Sequence, residues 1–188
     1  MKFNPSLLVF LTSALVIDSK CYSRDESPIL QGSYFGQNPP GSKPEVFAPG
    51  IVSVEGRYEF CVSFSPELNE MYFSASDEKG ISSVYYSKLE NNVWSNPKEA
   101  NFTKGRVRDE FSGFVSPDGK RIYFSTYDPT APLKIWYVNR YANSWSNAVQ
   151  LDSPINRDEV VSPKPDKDGN LYFSIAMTRK AGIPIYIG

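Results

Sequence analysis

The stretch Ser116-Pro117-Asp118-Gly119-Lys120-Arg121-Ile122-Tyr123-Phe124 decides the fold, because it joins a tight turn directly to a β-strand. Proline followed by aspartate and glycine is typical of a type I turn. A degenerate copy occurs at Ser65-Pro66-Glu67-Leu68-Asn69-Glu70-Met71-Tyr72-Phe73, and a copy with a shorter turn occurs at Lys167-Asp168-Gly169-Asn170-Leu171-Tyr172-Phe173. The chain is therefore an array of similar units.

An arginine and an acidic residue precede each of these strands. The motif recurs as Arg57-Tyr58-Glu59-Phe60, Arg108-Asp109-Glu110-Phe111 and Arg157-Asp158-Glu159-Val160, and Tyr-Phe-Ser strands follow at Tyr72, Tyr123 and Tyr172. Residues 57–96 align with 108–147 at a spacing of 51 residues, with 14 identities in 40 positions. Self-similarity at about 40 to 50 residues is typical of propeller blades.

Each unit contains four segments with strand character, separated by turn residues. In the first unit we predict strands at 60–64, 70–76 and 83–89 and an outer strand near Trp94; in the second, at 121–126, at 134–139 and near Trp145. The tyrosine and phenylalanine of each Tyr-Phe pair alternate faces, so that one ring packs between blades. The prediction is an all-β propeller of four-stranded blades, with about two and a half blades present.

The repeats divide the chain into five parts. Residues 1–21 resemble an export leader, because a positive residue precedes an apolar run of 11 residues at 7–17. We predict an extended N-terminal segment at 22–56 whose end, at 45–47 and then 51–54, forms an outer strand, blades at 57–107 and 108–156, and part of a third blade at 157–188. Cys21 is a candidate lipidation site, with ordinary cleavage nearby as the alternative; a Cys21–Cys61 disulfide would require Cys21 to survive processing.

Composition excludes several classes of function. The chain has no histidine, which removes Ser-His-Asp and Cys-His catalysis and histidine-ligated zinc. A net charge of -1 and the absence of a basic cluster argue against nucleic-acid binding. The leader's apolar run is too short to cross a bilayer comfortably, so no transmembrane span is expected in the mature chain. Chemistry would have to rest on carboxylates, lysine, tyrosine or a bound metal.

The recurrent arginine and acidic residues are the candidate working surface. Because they begin the inner strands, near the axis of a propeller, we expect them to converge at one end of the channel: Arg57, Glu59, Arg108, Asp109, Glu110, Arg157, Asp158 and Glu159. One interpretation is a polar-ligand or cation site, for which carboxylate oxygens suit Ca²⁺. The other is structural, with each carboxylate paired to an arginine. No metal or other cofactor is otherwise predicted.

The residues 116–124, with their copies at 65–73 and 167–173, resemble the repeats of TolB-type, WD-repeat-like propeller proteins of bacterial envelopes. The resemblance covers residues 34–188 and implies an exported, non-catalytic scaffold that binds a protein, a small polar ligand or a glycan. It also implies a location in the periplasm, on the outer membrane as a lipoprotein, or outside the cell. The alternative function is a carbohydrate-active propeller enzyme, a glycosidase or lyase that uses carboxylates.

The chain departs from the family pattern because it stops in the third strand of its third unit. Propellers typically have about four to eight blades, and closure of the ring protects strand edges. We therefore expect an incomplete ring, from a truncated gene product or fragment, with assembly of several copies as the alternative.

Overall fold

The computed structural model describes residues 30–176 and, as backbone only, 185–187. They form three antiparallel sheets arranged as successive blades of an incomplete β-propeller, which confirms the predicted fold class. The sheets pack face to face along two seams. We call the contact between the first and second blades the first seam, and that between the second and third blades the second seam.

The first blade has three long strands and a divided fourth position. Both short outer strands pair with the third strand: one follows the tight turn at Asn91 and Asn92 directly, and the other begins after a break in the strand at 95–97. The strands are β1 (Tyr58–Phe64), β2 (Glu70–Ser76), β3 (Ser82–Glu90), β4 (Val93–Trp94) and β5 (Lys98–Glu99).

The second blade repeats this plan and the third repeats its inner part. The second consists of β6 (Asp109–Val115), β7 (Arg121–Asp128), β8 (Ala131–Tyr141), β9 (Ser144–Trp145) and β10 (Val149–Gln150). The third consists of β11 (Val160–Pro165), β12 (Leu171–Ile175) and β13 (Ile185–Ile187). Short 3-10 segments lie at Ser33–Gly36 and Ile155–Arg157. The strands predicted within the blades correspond to these elements; 70–76 agrees at both ends, and the others extend by one to three residues at one or both ends.

The outer strand predicted at 51–54 is absent; a turn stands in its place. The backbone N–H groups of Ile51, Val52 and Ser53 all point to the carbonyl oxygen of Ala48, at 3.0, 2.9 and 3.3 Å. Gly50 adopts a φ of 78°, which lets the chain reverse. The β-branched side chains of Ile51 and Val52 are buried against the first blade, so their apolar character reflects core packing rather than strand pairing.

A β-bulge recurs in every inner strand. Cys61, Ser112 and Ser162 lie at the bulges of β1, β6 and β11 with φ of 52°, 52° and 58°. At both seams the N–H of the bulge donates to a Tyr-Phe-Ser serine of the preceding blade: Ser112 to Ser74 Oγ at 2.8 Å, and Ser162 to Ser125 Oγ at 2.9 Å. The serine of the motif is therefore a fastener between blades.

The Tyr-Phe pairs alternate as predicted. Tyr72 belongs to the core of the first seam, whereas Phe73 lies on the opposite face, in a core shared with the N-terminal segment. In the second blade Phe124 faces the first seam and Tyr123 faces the second. Each tyrosine thus points to the following blade and each phenylalanine to the preceding side.

Candidate functional site

All eight predicted charged residues lie at the N-terminal ends of the inner strands. Because β6 packs between β1 and β11, the three ends are neighbours. Within the described residues, six of the eight form local ion pairs, however, and Glu110 and Glu159 are the two that do not. Their closest N···O distances are 2.7 Å for Arg57–Glu59, 2.8 Å for Arg108–Asp109 and 3.8 Å for the exposed pair Arg157–Asp158.

Two of the carboxylates hold the loops that lead into their strands. Glu110 is only 6% exposed and accepts hydrogen bonds from the N–H groups of Phe102 and Thr103, at 2.9 and 2.7 Å, and from the Thr103 hydroxyl. Glu59 accepts one from the N–H of Val54 at 3.1 Å. Since these bonds satisfy otherwise unpaired backbone donors, the geometry gives both glutamates a positioning role.

The third unit is displaced by one residue from the repeat expected in the sequence. Phe60, Phe111 and Val161 face the serines of the three Tyr-Phe-Ser strands. Val160, rather than Glu159, therefore occupies the place of Glu110, and it is fully buried. Glu159 stays exposed and corresponds to Asp109.

Asn156, which the sequence analysis did not identify, fastens the loop before the third inner strand. Its Oδ1 accepts from the N–H of Ile135 at 2.9 Å, and its Nδ2 donates to the carbonyls of Ile135 and Leu151 at 2.7 Å each. In the third unit the amide of Asn156 thus holds the loop with three hydrogen bonds, as the carboxylate of Glu110 holds the loop in the second unit. In the sequence, Asn156 is marked only as a polar residue beside the apolar Ile155.

Arg106, not Arg108, is the spatial counterpart of Arg57. The guanidinium of Arg57 lies 5.2 Å from the ring centre of Tyr85, and that of Arg106 lies 5.0 Å from the ring of Trp136, the residue 51 positions later. Arg108 instead covers Tyr127 at 4.9 Å. The cation–π contact of Arg57 therefore recurs at Arg106, two residues before the position that the sequence alignment predicts.

The first seam contains a buried charge network that sequence reasoning missed. Both side-chain oxygens of Glu70 accept from Arg140, at 3.0 and 2.6 Å, and Lys88 lies at 3.2 Å. Burial alone would raise the pKa of Glu70, but the hydrogen bonds and charge of Arg140, with Lys88 and Tyr72, outweigh burial and lower it to about 2. Burial and the charge of Glu70 raise the pKa of the Tyr72 hydroxyl.

An apolar groove of about 480 Å³ lies between the N-terminal segment and the inner half of the first blade. Its floor is formed by Phe60, Val62, Phe64 and Phe73, and Val46 and Phe47 form the opposite wall. Val62 is 51% exposed. Cys61 also lines this groove, so the first bulge belongs to it.

The N-terminal segment covers the outer half of the same face. Phe35 stacks on Trp94 with ring centres 4.6 Å apart, and Trp94 Nε1 donates to the carbonyl of Gly32 at 3.0 Å. The equivalent Trp145 donates to the hydroxyl of Tyr72 in the first blade at 3.2 Å. The segment thus does for Trp94 what a preceding blade does for Trp145.

Several predictions concern residues outside the described ranges. The leader at 1–21, lipidation of Cys21 and the Cys21–Cys61 disulfide all depend on residues that are not described. Within 30–176, Cys61 Sγ lies 3.4 Å from the hydroxyl of Ser112. The described residues contain no group of three acidic or cysteine side chains that could hold a metal, and among them no helix is long and apolar enough to span a membrane.

Comparison with known proteins supports the fold. The crystal structure of TolB from Acinetobacter baumannii is similar, with a TM-score of 0.53 and 21% sequence identity over 73% of this chain. The chain spans 31% of that TolB chain. No protein-family model matches the sequence, and no curated protein sequence matches it. At this identity the comparison shows a TolB-like β-propeller fold and no more.

Proposed function

We propose that this TolB-like propeller is a non-catalytic, exported protein-binding scaffold of the bacterial cell envelope. The observation that carries the proposal is the open apolar groove beside β1. Contiguous exposed apolar surface with a polar margin is characteristic of interaction sites. Gln37, Asn38 and Glu45 supply that margin here.

The repeat itself indicates what the groove accepts. On the second blade the corresponding surface, around the bulge at Ser112, is covered by β2, whose Ser74 accepts the N–H of the bulge. On the third blade β7 and Ser125 do the same at Ser162. We therefore assign the groove at Cys61 to an extended strand of a partner protein that presents a hydroxyl to the N–H of Cys61 and an apolar side chain to Phe60 and Val62.

The rest of the described molecule holds this groove rigidly. The serine fasteners at the seams and the Glu70–Arg140 pair fix one blade against the next, and Glu59 and Glu110 hold the loops that lead into their strands. A groove on a rigid frame loses little conformational entropy when it binds a partner. Glu110, the best acid for the alternative glycosidase or lyase, is committed to Phe102 and Thr103.

Site-specific photocrosslinking tests the binding function. A photoreactive amino acid at Val62, in chain mixed with envelope extract of the source bacterium, should give one discrete adduct; the same group at Tyr141, which is 76% exposed elsewhere, should not. The adduct partner, once purified, should bind the chain in solution, and Val62→Glu should weaken that binding at least about tenfold because it buries a charge. Equal adduct formation at the two positions would contradict the proposal.

The enzymatic alternative and the location need separate measurements. Turnover of a fluorogenic glycoside panel that Glu110→Gln abolishes, while the melting temperature is retained, would establish an enzyme instead. For the location we expect the chain in the envelope fraction of producing cells, and labelling with radioactive palmitate that depends on Cys21 would distinguish a lipoprotein from a cleaved product. A purely cytoplasmic distribution would contradict export.

A further inference from the structure

A second cavity, of about 540 Å³, lies at the second seam, at the opposite end of the inner strands from the eight predicted charged residues. It is bounded by the Ser-Pro-Asp-Gly turn at 116–119 and by the corresponding turn of the third blade at 166–169. Unlike the groove beside β1, it is lined largely by polar and charged side chains. Arg121 and Tyr123 of β7 and Asn139 of β8 form its inner wall.

Arg121 occupies the place that Glu70 holds in the first blade. Both begin the second strand, 51 residues apart, and both face the same register position of the third strand. In the first blade that cross-strand partner is the cation Lys88, whereas in the second it is the neutral Asn139. At this position the first seam therefore has a negative residue opposite a cation, whereas the second seam has a positive residue opposite a neutral one.

The charge of Arg121 has neutral partners. Its Nε donates to Asn139 Oδ1 at 2.9 Å and its Nη1 donates to the hydroxyl of Tyr123 at 3.0 Å, while the ring of Tyr137 lies 4.7 Å below the guanidinium. Among the described residues, no carboxylate lies within ion-pair distance of Arg121. Glu70, by contrast, is neutralised by two cations.

The acidic residues at the rim are committed to their own turns. Asp118 Oδ1 accepts from the hydroxyl of Ser116 at 2.6 Å and from the N–H of Lys120 at 3.0 Å. Asp166 accepts from the N–H of Asn170 and from its side-chain amide, at 2.9 Å each. Lys120 adds positive charge at the rim, whereas Lys167 is paired with Asp168 at 2.8 Å and Arg140, which also lines the cavity, is paired with Glu70. Arg121 is therefore the cation that the cavity wall offers to a ligand.

We propose that this cavity binds a carboxylate, with the guanidinium of Arg121 as its anchor. A guanidinium can form two parallel hydrogen bonds to a carboxylate, and the partly buried ring of Tyr137 beneath it favours one orientation of its plane. Tyr123 and Asn170 line the same cavity and suit a ligand that carries hydroxyl or amide groups beside the acid. The carboxylate comes either from a free sugar acid or from an acidic side chain of a peptide. The site is separate from the groove and does not depend on it.

Calorimetric titration of the full chain with two probe pairs tests this assignment. One pair is glucuronate and methyl glucoside; the other is N-acetyl-Ala-Glu-Ala-amide and its glutamine analogue. We expect one acid to bind and its uncharged analogue to bind at least about tenfold more weakly, since the charge-assisted pair is lost. Binding of glucuronate alone would identify a sugar acid, and binding of the peptide alone would identify an acidic side chain.

The matched variants are Arg121→Gln in the cavity and Arg157→Gln at an exposed position elsewhere. Arg121→Gln should remove the difference between acid and uncharged analogue, whereas Arg157→Gln should retain it. Arg121→Lys, which keeps the charge without the fork, gives an intermediate affinity and serves if Arg121→Gln lowers the melting temperature. The proposal is overturned if neither acid binds up to about 10 mM. It is also overturned if Arg121→Gln and Arg121→Lys both bind the acid as tightly as the unaltered chain does.

Discussion

The two seams use the same backbone fastening but opposite chemistry at their margins. At each seam a serine of a Tyr-Phe-Ser strand accepts the N–H of the next bulge, at 2.8 and 2.9 Å. At the first seam Arg140 crosses to a buried glutamate, while at the second Arg121 faces an open cavity. The backbone geometry therefore repeats from blade to blade, and the side chains at the margin decide whether a seam is sealed or open to a ligand.

Removal of Arg140 should have the largest effect on stability. Arg140→Met leaves Glu70, whose side chain is 9% exposed, with Lys88 as its one remaining cation. We expect the free energy of unfolding to fall by about 3 kcal/mol, because a largely buried charge loses its main partner. Arg121→Met is the matched control at the second seam and should cost less, about 1 to 2 kcal/mol, because it breaks two hydrogen bonds to neutral partners but leaves no buried charge behind. Equal losses in urea titrations would contradict the distinction between the seams.

The same ion pair predicts a loss of stability in acid. The pKa of Glu70 is lowered from 4.5 to about 2 by Arg140, Lys88 and Tyr72, against the opposing effect of burial. Ionised Glu70 therefore contributes about 2 to 3 kcal/mol to the free energy of unfolding. This stabilisation is complete above about pH 4.5 and is lost as the pH falls through 2. Urea titrations at several pH values should show that the free energy of unfolding of the unaltered chain falls with pH over this range, and that it falls less steeply in Glu70→Gln. Equal slopes would exclude Glu70 as the source of this loss.

The serine fasteners allow a closer comparison of the seams. Ser74→Ala should lower the free energy of unfolding by about 1 to 2 kcal/mol, because the N–H of Ser112, a buried residue, loses its acceptor. Ser125→Ala should cost less, since Ser162 is only partly buried and water can reach its N–H. Paired urea titrations measure both. A larger loss at Ser125 would mean that the second seam is the tighter one.

The sequence predicted the blades well because their signals are local. Turn residues followed by alternating aromatic strands define β2 and β7, and the spacing of 51 residues links them. The site was predicted less completely. The one-residue slip in β11, which places Val160 where Glu159 was expected, follows from a turn one residue shorter than in the other blades: Tyr172 pairs with a residue eight positions earlier, whereas Tyr72 and Tyr123 pair with residues nine positions earlier. The shorter turn was visible in the sequence, but its effect on the acidic residue was not anticipated. The partnership of Glu70 with Arg140 joins residues 70 positions apart, and repetition gave no hint of it because neither residue recurs.

Gly113 offers the finest test of how closely the first seam is packed. A Cβ at this position would lie 3.1 Å from Cγ1 of Val84, on the opposing blade. Gly113 does not have a positive φ, so the cost of Gly113→Ala reflects crowding between blades and not backbone strain. We expect a loss of about 1 kcal/mol, recovered in part when Val84→Ala is added, because the second change makes room for the new methyl group. Strictly additive losses in a double-mutant cycle would show that the blades can separate slightly at this point, and that close packing at Gly113 does not hold the first seam shut.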